Sequence, residues 1–225
     1  MKVLGISGSP RRDRTTDRLV KTILDATGLE TEFISLAGKT INGCICCLGC
    51  INDNLCKVQD DYLPIMNKVM MADAIVVGAP NYFGRLNALT HSFLERWYCF
   101  RHDATGNGGM CLSGKLGAIA SVGGGGEWQM PGKENRMYEI AGDDVKGFFA
   151  YNGIDIVGVV NAQGAVPCFT CGYGEICRVS GAKMFFGDDV KISEDIIPCL
   201  EKQPEIIVQA KELGNVLRKR LGQVS

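Results

Sequence analysis

Five cysteines lie close together in the segment INGCICCLGCINDNLCKVQDD, which covers residues 41–61. Four of them follow the spacing C-x2-C-x2-C-x5-C, namely Cys44, Cys47, Cys50 and Cys56. Short spacings of this kind let one irregular loop wrap a cubane cluster, with the last thiolate closing the fourth corner. Zinc also takes four thiolates, but usually from two separated C-x2-C pairs. The spacing therefore predicts a 4Fe-4S cluster bound by these four thiolates.

Cys46 is the odd thiol of this segment. It lies between two predicted ligands and is expected to point away from the cluster, although an exchange with Cys44 stays open. Asp60 and Asp61 follow directly. We interpret them as N-cap residues of the next helix, because a carboxylate is favourable at a helix amino terminus.

A second cysteine group repeats part of this spacing in VPCFTCGYGEICRVSG, residues 166–181. Its members have the pattern C-x2-C-x5-C and are Cys168, Cys171 and Cys177. They could form a second metal centre with a fourth ligand from Cys199, Cys111 or a neighbouring subunit. They could instead share a site with the first segment, act as a substrate-side dithiol, or pack as small hydrophobic residues. The spacing favours a second metal centre.

Composition limits the classes of function open to the chain. The 225 residues carry a formal net charge of -1, which predicts no bulk attraction to nucleic acid or to a membrane surface. No apolar run reaches the roughly eighteen residues of a membrane-spanning helix, and MKVLGISGSP does not read as a signal peptide. We therefore expect a cytoplasmic protein, where eleven cysteines indicate metal or redox chemistry rather than disulfides.

Strand and helix patterns alternate five times along the chain. The predicted strands are 2–9, 30–36, 74–80, 115–124 and 155–164, and the predicted helices are 15–28, 60–74, 87–100, 134–153 and one within 194–221. This order predicts an α/β fold, a five-stranded parallel sheet with helices on both faces. We expect a single domain over 1–225 with two cysteine-rich insertions, 38–59 and 165–193. Such sheets bind ligands beyond the carboxyl ends of their strands.

The loop SGSPRRDRTT, residues 7–16, joins the first strand to the first helix. Small residues, hydroxyls and a helix amino terminus together favour an anion, and Arg11, Arg12 or Arg14 adds positive charge. Neither the P-loop pattern nor G-x-G-x-x-G is present, so a single terminal phosphate, as in a mononucleotide, is the better prediction. The candidate binding residues are Ser7, Ser9, Pro10, Arg11, Thr15 and Thr16.

Two further loops follow strands at the same predicted edge. GAPNYFGRLNA, residues 78–88, offers aromatic side chains and backbone amides that could hold a planar ring, and its candidates are Pro80, Asn81, Tyr82, Phe83 and Gly84. SVGGGGEW, residues 121–128, suits close approach of the backbone to a ligand, and its candidates are Gly123, Gly124 and Gly125. With the phosphate loop, they outline one site.

The stretches GISGSPRRDRTT, ADAIVVGAPNYFGRLNAL and FLERW resemble the flavodoxin-like NADPH-dependent FMN reductase superfamily. With the compact cysteine motif, the chain closely resembles its iron–sulfur flavoprotein family. The resemblance implies that the first loop binds the FMN phosphate and that Pro80, Tyr82 and Gly84 lie against the isoalloxazine, which the glycine loop also borders. In the phosphate loop this chain has Arg14-Thr15-Thr16 where Gly-Asn-Thr is common in the family. Thr16 therefore matches the family's phosphate-binding threonine, whereas the resemblance assigns no role to Thr15.

These observations predict an FMN-dependent oxidoreductase that moves electrons between a one-electron donor and a two-electron acceptor. The resemblance implies a ferredoxin-like donor and a homodimer or homotetramer. No residue is assigned as a catalytic acid or base. Two alternatives remain: an NAD(P)H-dependent FMN or quinone reductase with structural zinc, and a cysteine-based metal or redox sensor. A small-molecule acceptor is expected, but its identity is not encoded in these patterns.

Overall fold

A computed structural model describes residues 1–102, 110–125, 128, 129, 132 and 134–224. The strands are β1 (Lys2–Ser7), β2 (Glu30–Ser35), β3 (Ala74–Tyr82), β4 (Arg85–Leu86), β5 (Leu116–Gly123) and β6 (Asp155–Gln163). The helices are α1 (Thr15–Thr27), α2 (Leu63–Met71), α3 (Ala88–Glu95), α4 (Ile140–Tyr151), α5 (Gly181–Phe186) and α6 (Pro204–Val224). Short 3-10 helices cover Arg96–Arg101, Pro167–Phe169 and Leu200–Lys202.

Five strands pair in parallel in the order β2-β1-β3-β5-β6, which confirms the predicted sheet. The central strand β3 is fully buried from Ala74 to Ala79, because helices cover both faces. One apolar core joins the sheet to α2, α3 and α4, and the other joins it to α1 and α6. The carboxyl ends of β1, β3 and β5 therefore meet at one edge.

The loop predicted after the third strand is instead a hairpin. β3 continues to Tyr82 and pairs in antiparallel fashion with β4. The turn residues Phe83 and Gly84 both have positive φ, 53° and 70°, as a two-residue hairpin turn of the I′ kind requires. Pro80 and Asn81 thus belong to a strand, which holds their positions more firmly than a loop would.

Several predicted helix bounds were wrong. α2 begins at Leu63 rather than at 60, and α4 begins at Ile140 rather than at 134. The helix predicted over 87–100 is an α-helix only to Glu95 and continues as a 3-10 helix to Arg101. Over the part of the chain that the structure describes, no helix is both long enough and apolar enough to cross a membrane.

Candidate functional site

The loop between β1 and α1 brings hydroxyl side chains to the carboxyl edge of the sheet. Ser7 ends β1, Thr15 and Thr16 open α1, and all three are buried. Ser9 is also buried, and its Oγ accepts the N–H of Arg11 at 3.1 Å and donates to the Arg11 carbonyl at 2.9 Å. The loop is thus folded tightly beside the amino end of α1, whose unpaired N–H groups favour an anion.

The arginines of this loop connect it to neighbouring segments. Arg11 Nη2 donates to the Ala165 carbonyl at 2.9 Å, beyond β6. Arg12 Nη2 donates to the Ala37 carbonyl at 2.8 Å, beyond β2. Pro10 is exposed, as are these arginines and Arg14, the N-cap residue of α1. The positive side chains therefore border the loop on its solvent side.

Asp17 is a buried carboxylate that the sequence analysis missed. It is 1% exposed, and it accepts the Ser7 hydroxyl at 2.5 Å and the Asp13 N–H at 2.8 Å. Two polar hydrogens of the loop are therefore directed to Asp17. An acidic residue in the first turn of a helix was the available clue, because the helix dipole stabilises it there.

Gly8, Asn87 and Thr90 hold the loop against α3. A Cβ on Gly8 would lie 1.6 Å from Thr90 Oγ1, so only glycine permits this approach. Asn87 Nδ2 donates to the Gly8 carbonyl at 2.9 Å, and Thr90 Oγ1 donates to Asn87 Oδ1. All of these groups are buried, and they fix the loop relative to the β3–β4 hairpin, which leads directly into α3.

The hairpin presents its aromatic residues to solvent at the edge of the sheet. Pro80 is buried, Tyr82 is 40% exposed and Phe83 is 98% exposed. Asn81 Nδ2 donates to the Met137 carbonyl, whereas its Oδ1 is buried and has no hydrogen-bond partner among the described residues. A buried acceptor without a partner is costly, so this oxygen is suited to a ligand donor.

The glycine-rich loop after β5 is packed closely by other parts of this chain. A Cβ on Gly124 would lie 2.1 Å from Val166 Cγ1, and one on Gly125 would lie 3.1 Å from Phe185 Cε1. Gly123 ends β5. Glycine is therefore needed here at least partly because the segment after β6 covers the loop. Gly126 and Glu127 lie outside the described residues.

Together the three loops fit FMN by the chemistry of their groups. A small-residue loop at a helix amino terminus suits the phosphate, and the partnerless Asn81 Oδ1 beside Tyr82 suits a ring that carries N–H donors. The structure brings the predicted flavin residues to one edge of the sheet. Their individual roles in binding stay predictions.

The first cysteine segment leaves the sheet after β2 and runs along α3 and the 3-10 helix that follows. Gly43 touches α3, since a Cβ there would lie 2.7 Å from Glu95 Oε2. The N–H of His102 donates to Asn54 Oδ1 at 3.0 Å. Three residues of the segment other than glycine have positive φ, namely Cys46, Leu48 and Asn54. The segment is thus an irregular loop between two fixed ends.

All five cysteines of this segment line one pocket, which Arg96, Tyr98 and Cys99 complete on the α3 side. Cys50 is buried, Cys44 and Cys56 are half-buried, and Cys46 and Cys47 are exposed. Burial raises the pKa of the Cys50 thiol, and the neighbouring thiols of Cys56, Cys44 and Cys47 raise it further. Burial also raises the pKa of Cys44, with contributions from Cys46 and Cys56. Cys50 is therefore electrostatically coupled to each of the other three predicted ligands.

Arg96 lies behind these thiols and is fully buried. Its Nε donates to Cys56 Sγ at 3.1 Å, and its Nη1 donates to Asp60 Oδ2 at 2.8 Å. Burial alone would raise the pKa of Asp60, but hydrogen bonds from Arg96 and from the N–H groups of Asn42 and Tyr62 hold it below its ordinary value. The sequence analysis assigned no role to Arg96, and its place in FLERW was the available clue.

The N-cap interpretation is supported in part: Asp60 Oδ1 accepts the N–H of Tyr62 at 3.0 Å, two residues on, as an N-cap side chain does, whereas Asp61 does not cap the helix. The N-cap residue of α2 is Tyr62, without a side-chain cap hydrogen bond. Asp61 Oδ2 accepts the N–H of Thr40, and Asp60 Oδ2 pairs with Arg96. Both carboxylates also fasten the ends of the cysteine segment through hydrogen bonds from the N–H groups of Thr40 and Asn42 and from Arg96.

Among the described residues, no three histidine, cysteine, aspartate or glutamate side chains converge closely enough to hold a metal ion. The donor set still fits an iron-sulfur cluster in its chemistry, since five thiols from one short loop face one pocket and one sulfur already accepts a hydrogen bond. Three exposed apolar side chains line the same pocket, namely Ile45, Leu48 and Tyr98.

The second cysteine group follows β6, the outer strand at the opposite side of the sheet from β2, which precedes the first group. Cys168 Sγ accepts the N–H of Gly181 at 3.1 Å, and Cys171 Sγ accepts the N–H of Tyr173 at 3.4 Å. Cys168 and Cys177 are half-buried, and Cys171 is exposed. Backbone donors to sulfur are common around thiolate ligands, but here the three thiols do not converge.

Cys111 cannot serve as the fourth ligand of this group within one chain. It precedes β5, and its N–H donates to the Phe100 carbonyl at 2.8 Å. The second group follows β6 at the opposite end of the parallel strands, whose eight to nine residues span about 25–30 Å. Cys199 is half-buried next to the 3-10 helix Leu200–Lys202.

The two candidate sites lie at different levels of one helical segment, formed by α3 and the 3-10 helix Arg96–Arg101 that continues it. The phosphate loop touches Asn87 and Thr90 at its amino end, whereas the thiol pocket touches Arg96 and Cys99. Six to twelve residues of helix separate these levels, a distance on the order of 10–20 Å. The same helical segment therefore positions both sites.

Comparison with known proteins agrees with this architecture. Residues 1–130 match the family described as NADPH-dependent FMN reductase. An iron-sulfur flavoprotein of Methanocaldococcus jannaschii is 37% identical over 161 residues, which are 70% of this chain and 76% of that protein. An iron-sulfur flavoprotein of Methanosarcina thermophila is 32% identical over 127 residues, 55% of this chain and 64% of that protein.

The fold also resembles solved structures. The Trp repressor binding protein from Bacillus subtilis superposes with a TM-score of 0.58 at 19% identity, covering 94% of this chain and 98% of that one. Similarity at this identity shows the fold alone. The family match and the identity to the Methanocaldococcus protein show more: the chain belongs to the iron-sulfur flavoprotein family, within the NADPH-dependent FMN reductase superfamily, and is an FMN-dependent oxidoreductase.

Proposed function

We propose that this protein transfers electrons between a one-electron donor and a two-electron acceptor, using a 4Fe-4S cluster and FMN held by one chain. Cys44, Cys47, Cys50 and Cys56 would hold the cluster. When bound, FMN can exchange one or two electrons and the cluster exchanges one, so together they can connect the two kinds of partner. The proposed donor is ferredoxin-like, and the acceptor is a small molecule.

The thiol pocket is the observation that carries this proposal. Five cysteines share it, and the buried Cys50 is coupled to the three other proposed ligands. Cys50 is buried and Cys44 and Cys56 are half-buried, and the apolar residues Ile45, Leu48 and Tyr98 line the same pocket. This environment would limit water near the cluster, and solvent exposure is one of the factors that set a cluster's potential.

The residues proposed to hold FMN have no acid-base role. Ser9, Thr16 and the amino end of α1 would bind the phosphate, and Arg11 would add charge on its solvent side. Asn81 Oδ1 would accept a hydrogen bond from the ring system, next to Tyr82. These groups would fix the orientation of the flavin and tune its electronics, which is the usual contribution of a protein to flavin chemistry.

A second candidate function is an NAD(P)H-dependent FMN or quinone reductase with structural zinc. The family description, NADPH-dependent FMN reductase, favours it. Four thiolates also suit zinc, although the compact spacing favours a cubane. A metal or redox sensor is a weaker candidate, because the flavin loops would have no part in it.

A second metal centre at Cys168, Cys171 and Cys177 belongs to the proposal as its least supported part. The repeated spacing supports it, and so do the backbone N–H groups that donate to Cys168 and Cys171. The fourth ligand would be Cys199 or a group from a neighbouring subunit. The proposal also includes a homodimer or homotetramer and a single domain over 1–225. We further propose that the protein works in a reducing cytoplasm, because the cluster ligands must remain thiolates.

The decisive experiment is the content of iron, zinc, acid-labile sulfide and flavin per chain after purification without oxygen. About four iron atoms with matching sulfide, and one FMN, would support one cluster. About eight would support the second centre as well. Zinc without sulfide would overturn the electron-transfer proposal in favour of the reductase, and loss of FMN with retention of metal would favour the sensor.

A further inference from the structure

Arg96 is an unusual residue for its position, since its side chain is fully buried beside the cysteines. Buried arginines are rare unless they are paired, because removing a guanidinium from water is costly. The residue begins the 3-10 helix Arg96–Arg101, on an element separate from the cysteine segment. Its burial therefore needs an explanation beyond the packing of α3.

The hydrogen bonds that the Arg96 side chain donates all go to the segment 41–61. Nη1 donates to the Asn42 carbonyl at 3.0 Å, and Nη2 donates to the Val58 carbonyl at 3.1 Å. These two residues flank the five cysteines on either side. Nε donates to Cys56 Sγ at 3.1 Å. One guanidinium thus closes the loop that carries the thiols and also touches one of them.

Asp60 supplies the counter-charge. Its side chain is 2% exposed, and its Oδ2 accepts from Arg96 at 2.8 Å. The same oxygen accepts the N–H of Asn42 at 2.9 Å, and Oδ1 accepts the N–H of Tyr62 at 3.0 Å. The Arg96 guanidinium also stacks on the Tyr62 ring, 4.5 Å from its centroid. The carboxylate of Asp60 therefore pairs with Nη1, whereas Nε of the same guanidinium faces the sulfur of Cys56.

We propose that Arg96 is a positioning residue that raises the reduction potential of the cluster held by this segment, and that Asp60 opposes it. This inference rests on the proposed function. Reduction adds negative charge to a cluster and its thiolates, so a cationic N–H donor at Cys56 Sγ stabilises the reduced state. The carboxylate of Asp60 destabilises that state, and neither charge is well screened because both are buried.

The test compares two variants of the holoprotein with opposite expected signs. Arg96→Gln removes the cation, and Asp60→Asn leaves it unopposed. The midpoint potential of the cluster is measured in an anaerobic redox titration followed by electron paramagnetic resonance, with iron and sulfide counted in the same samples. We expect Arg96→Gln to shift the potential downward and Asp60→Asn to shift it upward, each by about tenfold in the reduction equilibrium, or 59 mV.

Two further variants serve as controls. Arg96→Lys keeps the charge without the planar fork and should restore part of the potential. Lys115→Met removes a partly buried cation that donates to backbone carbonyls of residues 70 and 72, away from the thiol pocket, and should leave the potential unchanged.

Equal potentials in both variants, or shifts of the same sign, would overturn the inference even if both variants retain full iron. If Arg96→Gln loses its iron, the test rests on Asp60→Asn alone. An upward shift of its cluster potential would support the inference, and an unchanged potential would overturn it. Failure of the proposed function is a different result: the unaltered protein would contain zinc or no acid-labile sulfide, and no cluster potential would exist to compare.

Discussion

The two cysteine groups share the spacing C-x2-C-x5-C but differ in what surrounds them. The group at residues 44–56 lies against a fully buried Arg96–Asp60 pair. The group at residues 168–177 is bordered by the exposed Glu175–Lys191 pair, 3.5 Å apart. The first group includes a cationic donor to sulfur, Arg96 Nε, whereas the donors to Cys168 and Cys171 in the second group are backbone N–H groups. Two cysteine groups of equal spacing can therefore have very different electrostatic surroundings.

This difference supports the proposal that the first group, rather than the second, holds a charged cluster. A buried guanidinium beside a thiol compensates the negative charge of a thiolate-bound cluster. In the second group the donors to Cys168 and Cys171 are neutral backbone N–H groups. If it binds metal, its affinity must depend more on the thiolates themselves or on a neighbouring subunit.

The largest expected effect is the loss of iron when a thiol of the first group is removed, compared with removal of a thiol of the second group. Cys50→Ala deletes the buried thiol that is coupled to the other three proposed ligands, so we expect loss of nearly all iron of the first cluster, with some flavin retained. Cys171→Ala is the matched variant and should keep those four iron atoms. Iron and sulfide analysis measures both, and full iron in Cys50→Ala would refute the ligand assignment.

Alkylation of the anaerobic holoprotein separates ligands from bystanders. With iodoacetamide at pH 8, we expect Cys46 to be labelled and the four proposed ligands to be protected, as read by peptide mass spectrometry. Burial raises the pKa of Cys99 to about 12, so only about one in ten thousand of these thiols is ionised and the residue should stay unlabelled.

Labelling of Cys44 together with protection of Cys46 would mean that these two residues exchange roles. In the second group, Cys171 is exposed. Its rapid labelling would contradict a metal centre there, and its protection would support one.

The flavin loops should respond independently of both cysteine groups. Ser9→Ala and Thr16→Ala remove hydroxyls from the proposed phosphate site, and each hydrogen bond to a charged group contributes about 1.5–3 kcal/mol. We therefore expect FMN affinity to fall about 10- to 100-fold with iron content unchanged, by fluorescence titration of the flavin-free protein. Thr22→Ala lies on the same helix, further from the loop, and should bind FMN normally. Unchanged FMN retention in the first two variants would mean that the phosphate lies elsewhere.

The smallest expected effect concerns the anchoring of the first group. The Tyr62 hydroxyl donates to the Arg96 carbonyl at 3.2 Å and is fully buried. Tyr62→Phe should cost about 1 kcal/mol of unfolding free energy, or about 2–4 °C in Tm. In the second group Tyr173 is 66% exposed, so Tyr173→Phe should not measurably change the unfolding free energy or Tm. Equal losses in the two variants would contradict the difference in anchoring.

Much of the fold was predictable from local patterns. The continuous apolar run of β3 and the helical spacing of α1 place those elements within two or three residues of their observed bounds. Helix starts were less predictable, because, of the two aspartates before α2, only Asp60 makes a cap-type hydrogen bond, whereas Asp61 binds the N–H of Thr40. The β3–β4 hairpin was missed because Phe83 is an uncommon residue at positive φ.

The sequence by itself determined the ligand types, their spacing, the order of strands and helices, and therefore which loops meet at the edge of the sheet. These features depend on residues close together in the chain. Only the tertiary structure decided which charges face the thiols: Arg96 is 40 residues from Cys56, and Asp17 reaches Ser7 across a folded loop. Such contacts depend on how helices pack on the sheet, and two cysteine groups of the same spacing became different because the packing around them differs.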